Sequence, residues 1–194
     1  MRLHYNAASP YVRKVMAVAI ETGLKQRLEP TQRKMTPVKP DPDVVRDNPL
    51  GKVPCLVADD GAVLYDSRVI CEYLDSLHAG PKMFPAGAPR WPALRSQATA
   101  DGILDAALLA RYETFLRPEE RRWPEWIEGQ KQKFRRALDS LDREALSFGD
   151  TVDIGTISIG CALGYLDFRH EARAWRAGRP ALAAWEARFA DRPF

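Results

Sequence analysis

Apolar and polar positions alternate with two different periods in the first 78 residues, which predicts both strands and helices there. Arg2–Tyr5 has the length and composition of a short strand. Ser9 and Pro10 then predict a helix start, because a serine oxygen accepts from free N–H groups and proline suits the first helical position. Gly23 is expected to end this helix. Its buried face is predicted from apolar residues at three- and four-residue spacing: Val12, Val15, Met16, Ala19 and Ile20.

The next 40 or so residues carry weaker signals and then a hairpin. Residues 25–35 show only weak strand alternation, and the prolines within 36–49 exclude a long regular element. Residues 55–58 and 62–65 are apolar and flank an Asp-Asp-Gly turn, which predicts a β-hairpin.

A second amphipathic helix follows the hairpin. Asp66 and Ser67 are suited to cap it, and its core face is predicted to be Val69, Ile70, Tyr73, Leu74 and Leu77. The order strand, helix, strand, irregular segment, hairpin and helix favours an α/β layer packed on a mixed sheet.

The rest of the chain reads as helical. A Gly- and Pro-rich segment at 79–89 predicts a linker between a domain at 1–78 and an all-helical domain at 90–194. The first long helix is expected to bury one side, formed by Leu94, Ala98, Leu104, Leu108 and Phe115. Four helices are predicted, at 91–117, 124–146, 154–168 and 180–189.

Composition narrows the function classes. The 194 residues are 45% apolar and 28% charged with a formal charge of +3, which is typical of a globular protein and too small a basic excess to predict a nucleic-acid partner. Three widely spaced cysteines exclude a disulfide framework and favour buried thiols, and the three histidines lack metal-ligand spacing. No apolar run reaches the ~18 residues of a membrane span, and the start lacks a signal-peptide pattern. We therefore expect a soluble, cytoplasmic protein without a membrane partner.

Three local sequences, in order and at the right spacing, resemble the cytosolic glutathione S-transferase family. They are SPYVRKV from Ser9, NPLGKVPCL from Asn48 and LYDSRVICEYL from Leu64. The first is similar to serine-type members, including many bacterial ones. The resemblance covers essentially the whole chain and implies an N-terminal thioredoxin-like domain with a C-terminal helical bundle domain. It also implies that glutathione is the co-substrate, that no metal is used and that the protein is a homodimer.

The resemblance gives Ser9 the catalytic role. The nucleophile is the glutathione thiolate, and a hydroxyl at a helix N-terminus can donate to that sulfur while the helix dipole adds favourable potential. A plain N-cap is the alternative role for Ser9, and its oxygen can accept from the helix while it donates to sulfur. Tyr5, Asn6 and Tyr11 are neighbouring candidates for thiolate stabilisation.

The resemblance also implies residues that bind glutathione. Val53–Pro54 is expected to be a cis peptide whose Val53 N–H and C=O pair with the cysteinyl part of the ligand. Asp66 and Ser67 would hold the ammonium and carboxylate of the γ-glutamyl end, although Asp66 is one methylene shorter than the Glu or Gln of many members and both residues could simply cap a helix. Lys52 would pair with the glycyl carboxylate.

Further expected ligand contacts lie in the helical domain. Asp101 would reach the partner subunit's ligand, unless it is an ordinary exposed helical residue. An electrophile pocket is expected between the domains, with Trp123 and Trp126 as lids and a lining of Tyr11, Ile103, Ala107, Arg111 and Tyr112.

These expectations predict a glutathione S-transferase that attacks a small, apolar electrophile. Two different functions stay open, namely a non-catalytic glutathione-binding protein of the same fold and a glutathione-dependent peroxidase or reductase. Disulfide reduction by this route needs a cysteine where the chain has Ser9. One departure from the family concerns folding: Asp153 and Thr156 stand where the family's core helix begins with Ser or Thr followed by Asp, and Asp153 can still cap with the two roles exchanged.

Overall fold

The computed structural model describes residues 1–170 and 174–193. It divides into two compact units, Met1–Pro85 together with Pro193, and Ala86–Arg192. The first unit holds every strand that is described, and the second is helical. The α/β plus all-α fold class predicted from sequence is confirmed.

The N-terminal unit is built on a four-stranded mixed sheet. The strands are β1 (Arg2–Tyr5), β2 (Glu29–Gln32), β3 (Cys55–Val57) and β4 (Val63–Leu64), in the order β2-β1-β3-β4. β1 is parallel to β2 and antiparallel to β3, and β3 is antiparallel to β4. Parallel pairing of β1 and β2 requires the crossover that the first helix supplies. This strand–helix–strand plus hairpin arrangement is the predicted thioredoxin-like topology.

Helices α1 (Pro10–Glu21) and α3 (Ser67–Ser76) pack against each other in this unit. Val12, Val15 and Val18 of α1 are fully buried, as expected for a helix whose apolar stripe faces a sheet. The prediction that Val69 belongs to the core face of α3 is wrong, because its side chain is 47% exposed. Successive side chains of an α-helix are rotated by about 100° around the helix axis. The buried stripe of α3 contains Ile70, Cys71 and Leu74, and Val69 therefore lies on the opposite, solvent-facing side.

A short helix occupies part of the segment predicted to be irregular. Helix α2 (Pro42–Asp47) is capped by Asp41, whose side chain accepts from the N–H groups of Asp43 and Val44. Proline is disfavoured in the interior of a helix but is well tolerated at the first helical position, where its missing N–H would have no partner within the helix. The prolines therefore limited helix length here without preventing a helix.

A hydrogen-bonded network connects α2 to the sheet. His4 on β1 is fully buried, and its Nε2 lies 2.7 Å from Asp47 Oδ2. Arg33 Nε donates to His4 Nδ1 at 3.1 Å, so Nδ1 is the acceptor and Nε2–H donates to Asp47. Arg2 also donates to Asp47 Oδ2. The buried imidazole thus has both nitrogens paired, as a buried polar group requires.

The helical unit consists of α4 (Arg90–Phe115), α5 (Pro124–Phe148), α6 (Ile154–Arg169) and α7 (Pro180–Phe189), with 3₁₀ turns at Glu119–Arg121 and Ala174–Arg176. A further 3₁₀ turn, Lys25–Arg27, belongs to the first unit. Helix α6 begins with a reciprocal cap, in which Asp153 accepts from Thr156 N–H and Thr156 accepts from Asp153 N–H. The exchanged capping predicted from sequence is confirmed.

The predicted buried side of α4 is partly wrong. Ala98 and Phe115 are exposed, whereas Gln97, Asp101 and Ile103 are buried. The reason is tertiary, because α4 packs against both α5 and α6 and therefore buries a wide arc instead of one stripe.

Two sequence predictions concern the state of the cysteines and the possibility of a membrane-spanning helix. Cys55, Cys71 and Cys161 are all buried as free thiols, as predicted. Among the described residues, no helix combines the length and apolar character needed to cross a bilayer.

Gly155 marks a close approach of α6 to α4. A Cβ at this position would stand 2.8 Å from the carbonyl oxygen of Ala93 and 2.8 Å from Ser96 Cβ. We expect Gly155→Ala to destabilise the protein by about 1–3 kcal/mol through overpacking against backbone, which lowers Tm by about 2–4 °C per kcal/mol. Thermal unfolding measures the effect.

Gly129 is the matched control, because it lies within α5 and a Cβ there meets nothing within 4 Å. Gly129→Ala should raise stability by about 0.5–1 kcal/mol through helix propensity. Equal Tm shifts for both variants would contradict the close approach at Gly155.

The network around Asp47 predicts a pH dependence of stability. The His4 hydrogen bond first, and then the charges of Arg2 and Arg46, lower the pKa of Asp47 below 3.8 against the opposing effect of burial. A carboxyl whose pKa is lowered on folding stabilises the folded state above its unfolded pKa, and this contribution is lost as pH falls through the folded value. Asp47→Asn should cost about 1–3 kcal/mol of unfolding free energy at neutral pH. The difference from wild type should shrink below pH 3.8.

Denaturant unfolding at several pH values measures this difference. Asp59→Asn serves as the control, because Asp59 also pairs with cations but its side chain is 60% exposed, and exposed pairs contribute little. If Asp47→Asn cost no more than Asp59→Asn, the network would not hold α2 on the sheet.

Candidate functional site

One edge of the sheet collects the three segments singled out in the sequence. His4 pairs with Cys55, so the chain leaving β1 lies beside the chain entering β3. Leu56 pairs with Leu64, so the chain leaving β4 lies beside that same entry to β3. The pairing therefore brings residues 6–9, 52–54 and 65–67 to the same edge.

Ser9 stands where the first of these segments becomes α1. Its extended backbone makes it the N-cap, and its Oγ accepts from Val12 N–H at 3.3 Å. The half-buried hydroxyl keeps its own hydrogen for another acceptor, because a hydroxyl can accept and donate together. The structure thus shows the capping role and leaves a donor at the positive end of the helix dipole.

Asn6 holds the turn that leads to Ser9. Its Nδ2 donates to the Arg33 carbonyl and its Oδ1 accepts from Ala8 N–H, both at 2.9 Å. The Asn6 carbonyl also accepts from Ser9 N–H. Both ends of the Asn6 side-chain amide are therefore engaged in holding the backbone of the turn. Tyr5 and Tyr11, which the sequence also offers for thiolate stabilisation, are half-buried.

Asn48 organises the second segment, a role that was not predicted. This residue is 1% exposed, donates to the Lys52 carbonyl and accepts from Leu50 N–H. Gly51 has φ +58°, a conformation that favours glycine. The signal was present in the Asn-Pro-Leu-Gly sequence, because asparagine commonly bonds backbone two residues ahead.

Val53 follows this turn. The Val53–Pro54 peptide is cis, as predicted. Pro54 is buried and Val53 is half-buried. In the part of the chain that the structure describes, neither Val53 N–H nor its C=O takes part in a hydrogen bond. A donor and an acceptor one residue ahead of Pro54 are therefore available at the sheet edge. Lys52, beside it, has an exposed side chain.

The third segment forms the capped start of α3. Asp66 caps α3 by accepting from Arg68 N–H through Oδ1 at 2.9 Å, which leaves Oδ2 without a partner among the described residues. Ser67 is 2% exposed, and neither its hydroxyl nor its N–H bonds to the described chain. Free N–H groups at a helix start favour a carboxylate. The Tyr65–Asp66 peptide is also cis, which was not predicted.

The remaining candidates lie in the helical unit, except Tyr11, which lies in α1 of the N-terminal unit. Asp101 is 2% exposed, so the expectation of an ordinary exposed helical residue is wrong. Ile103 and Ala107 are fully buried, whereas Tyr11, Arg111 and Tyr112 are half-buried.

Trp123 and Trp126, the predicted lids, lie on the helical unit. They are 59% and 40% exposed and stack with ring centroids 6.1 Å apart. A role as lids stays a prediction.

Cysteine and metal chemistry receive no support from the described residues. Burial, and then the charge of Asp47, raise the pKa of the Cys55 thiol to about 11, so this sulfur is protonated at neutral pH and is a poor nucleophile. No group of three or more His, Cys, Asp or Glu side chains suited to a metal is found within residues 1–170 and 174–193.

The sheet edge is thus equipped for a short peptide with a charged end. Val53 offers a backbone donor and acceptor to an extended ligand in the manner of an added strand. Ser67 offers donors to a carboxylate, Asp66 an acceptor to an ammonium group, and Ser9 a donor to an anionic atom between them.

Comparisons with known proteins identify the family. Residues 8–77 match the family model of the glutathione S-transferase N-terminal domain, and residues 124–188 match that of the C-terminal domain. The uncharacterized GST-like protein YibF of Escherichia coli is 36% identical over 186 residues, which are 94% of this chain and 90% of YibF.

Two solved structures of a glutathione transferase family member from Pseudomonas fluorescens are also similar. One, with bound glutathione, has 49% identity and a TM-score of 0.96, covering 99% of this chain and 95% of the other. The second, with bound S-(propanoic acid)-glutathione, has 47% identity and a TM-score of 0.91, covering 100% of this chain and 95% of the other. Because two family models match its N- and C-terminal parts and YibF is 36% identical over nearly its whole length, the chain belongs to the glutathione S-transferase family.

Proposed function

We propose that this protein is a serine-type glutathione transferase that binds glutathione along the edge of its N-terminal sheet and transfers the sulfur to a small electrophile. The observation that carries the proposal is that groups without a partner in residues 1–170 and 174–193 meet at that edge. They are the hydroxyl and N–H of Ser67, the backbone of Val53 and the hydroxyl hydrogen of Ser9. The bound glutathione of the Pseudomonas fluorescens relative supports the choice of ligand.

Each end of the tripeptide has a complement on this edge. The γ-glutamyl carboxylate would accept from Ser67, and its ammonium would donate to Asp66 Oδ2. The cysteinyl unit would pair with Val53 N–H and C=O, and Pro54 would fix the direction of that backbone. Lys52 would approach the glycyl carboxylate as a solvated charge, which contributes little affinity.

Ser9 would act on the sulfur. Free cysteine thiols have a pKa of about 8.5, so glutathione needs a lower pKa to be an anion at neutral pH. A hydroxyl donor and the N-terminus of α1 both favour the anion. The thiol proton leaves to solvent, the sulfur lone pair forms a C–S bond, and the leaving group departs with the electrons of the broken bond. The S-substituted glutathione bound by the second Pseudomonas fluorescens structure is consistent with such a product.

Two competing functions make different demands on the same site. A non-catalytic binder needs Ser67 and the Val53–Pro54 backbone but not Ser9. A glutathione-dependent reductase needs a thiol in place of Ser9 to form a mixed disulfide, and a glutathione-dependent peroxidase would act on peroxide instead of a carbon electrophile. If the protein reduced disulfides or peroxides and did not conjugate glutathione to an electrophile, a reductase or peroxidase function would replace the transferase function.

Assembly and location belong to the proposal too. We propose a cytoplasmic homodimer and, within it, Asp101 as the residue that faces the partner's ligand. The burial of Asp101 within its own chain weighs against this role for Asp101. Five residues are proposed to contact the electrophile: Tyr11, Ile103, Ala107, Arg111 and Tyr112. Tyr11, Arg111 and Tyr112 are the better candidates, because they are half-buried and a fully buried side chain offers no surface to a substrate.

The role of Ser9 can be tested by separating capping from sulfur stabilisation. Ser9→Ala removes both, while Ser9→Asp keeps a good N-cap and places a negative charge beside the thiolate. We expect kcat with a chloronitrobenzene to fall about 10- to 100-fold in both variants, because one hydrogen bond to an anion is lost. Glutathione affinity should change less than kcat in Ser9→Ala. The ultraviolet absorbance of bound thiolate, followed against pH, should show a raised thiol pKa.

Unchanged turnover and thiol pKa in Ser9→Ala would assign the role to Tyr5, Asn6 or Tyr11. A variant that loses activity only because it unfolds would be recognised by its circular dichroism, and Ser9→Asp guards against that outcome.

The role of Ser67 is tested by affinity. Ser67→Ala should weaken glutathione binding about tenfold or more, because a buried donor to a carboxylate is removed. Isothermal titration measures the change. Ser76→Ala is the matched control, since Ser76 lies in the same helix with its exposed hydroxyl bonded to the Tyr73 carbonyl. Equal affinities for both variants would disprove the anchoring role of Ser67.

A further inference from the structure

A cavity of about 140 Å³ lies within the helical unit, between α4, α5 and the end of α6. The cavity is partly open to solvent, and its volume is close to the about 150 Å³ of an enclosed protein cavity that accommodates benzene, so it has room for a small organic molecule. Its lining is mixed, with apolar, hydroxyl and basic side chains: Ala110, Arg111, Thr114, Ile127, Lys131, Arg169 and His170.

Three of the lining residues are cations without carboxylate partners. Arg111, Lys131 and Arg169 are half-buried, and none of them lies within 4.0 Å of an acidic oxygen in residues 1–170 and 174–193. No side chain in the cavity lining is acidic. Other arginines of the same unit do pair, namely Arg95, Arg117, Arg135, Arg176 and Arg179. Among the described residues, the cavity thus brings together three cations that lack a carboxylate partner.

Aromatic rings position the two guanidinium groups. Arg111 lies over the ring of Phe115 at 4.7 Å, and Arg169 over that of Phe168 at 3.9 Å. Stacking occupies the faces of a guanidinium and leaves its N–H edge for an oxyanion. The Thr114 hydroxyl is engaged with helix carbonyls, so the strongest donors of the cavity are the cations.

His170 reports the electrostatic potential of the cavity. Its Nε2 lies 3.2 Å from the Ala107 carbonyl, which places the proton on Nε2, and its ring contacts Phe134 and Tyr165 edge-on. Burial lowers the pKa of His170, the carbonyl opposes this, and the charges of Lys131 and Arg111 lower it further. The imidazole is thus neutral at neutral pH and adds no charge to the three cations.

Helix dipoles explain the positions of only two of the three cations. Arg169 ends α6 and Arg111 is in the last turns of α4, where cations are favourable. Lys131 is in the first half of α5, which begins at Pro124, so a C-terminal dipole does not explain it. Half-burying three like charges together costs free energy that a bound anion would offset.

We propose that this cavity binds the carboxylate of a small organic acid, with Arg111, Lys131 and Arg169 as the oxyanion donors and Ile127 against the apolar part of the molecule. The half-buried Ile127 side chain favours an organic anion over inorganic phosphate, because phosphate would leave this apolar surface without a partner. The carboxylate could belong to the electrophile itself or to a separate ligand, and substrate kinetics distinguish these two sources.

Benzoate is the probe for the binding site, titrated without glutathione so that the result does not depend on the proposed transferase activity. We expect saturable heat in calorimetry and a raised pKa of His170 in NMR titration, since a bound anion favours the imidazolium. Lys131→Met keeps the aliphatic stem and should weaken benzoate about tenfold or more, because a charged donor is lost. Lys133→Met is the matched control on the exposed side of α5 and should bind benzoate like wild type.

A kinetic comparison, which does rest on the proposed function, distinguishes the sources. If the electrophile carries the carboxylate, Lys131→Met should raise KM about tenfold for a chloronitrobenzoate and leave KM for an uncharged chloronitrobenzene unchanged. Unchanged KM for both substrates, with benzoate binding still lost in Lys131→Met, assigns the site to a separate acid.

The proposal is overturned if benzoate gives no saturable binding to wild type, or if Lys131→Met and Lys133→Met bind it equally. Tighter binding of inorganic phosphate than of benzoate would likewise overturn the choice of ligand class.

Discussion

The antiparallel pairing of β3 with both β1 and β4 is the constraint on which the candidate glutathione site depends. Because His4 is opposite Cys55 and Leu56 is opposite Leu64, three segments far apart in sequence leave or enter the sheet at one edge. A shift of one residue in either pair would turn alternate side chains to the other face of the sheet. The fully buried Leu3 and Leu56, which are direct partners, fix that register by burial.

Two asparagines convert this backbone arrangement into a defined site. Asn6 fixes the turn before Ser9 and Asn48 fixes the turn before Val53, each by bonding to backbone on both sides of its amide. Asn6 is further tied to Arg33, whose guanidinium bonds to His4 and so to Asp47. The groups left unpaired at Ser9, Val53 and Ser67 are therefore presented by residues whose own hydrogen bonds are satisfied, which is the preorganisation that ligand binding and thiolate stabilisation need.

The helical unit contributes a different kind of chemistry. Five of its arginines pair with carboxylates, namely Arg95, Arg117, Arg135, Arg176 and Arg179. The two arginines at the cavity, Arg111 and Arg169, are stacked on aromatic rings and have no carboxylate partner within residues 1–170 and 174–193. The proposed anion site in the cavity and the proposed thiolate site at the start of α1 would both use hydrogen-bond donors that have no partner among the described residues. They differ in that the first uses full side-chain charges and the second uses hydroxyl and backbone dipoles.

The sequence by itself determined the features that depend on neighbouring residues. These include the caps at Ser9, Asp66 and Asp153, the bounds of α7, and the fold class, because helix periodicity and capping are local. The motif resemblance added the cis Val53–Pro54 peptide. Tertiary structure alone decided that Val69 faces outward, that α4 is buried on two sides and that Asp101 is enclosed, because burial depends on which elements pack together. It also decided that Arg111, Lys131 and Arg169, spread over 59 positions, share one cavity. No periodic pattern along the chain records a charge cluster of that kind, since its members meet only when three helices pack.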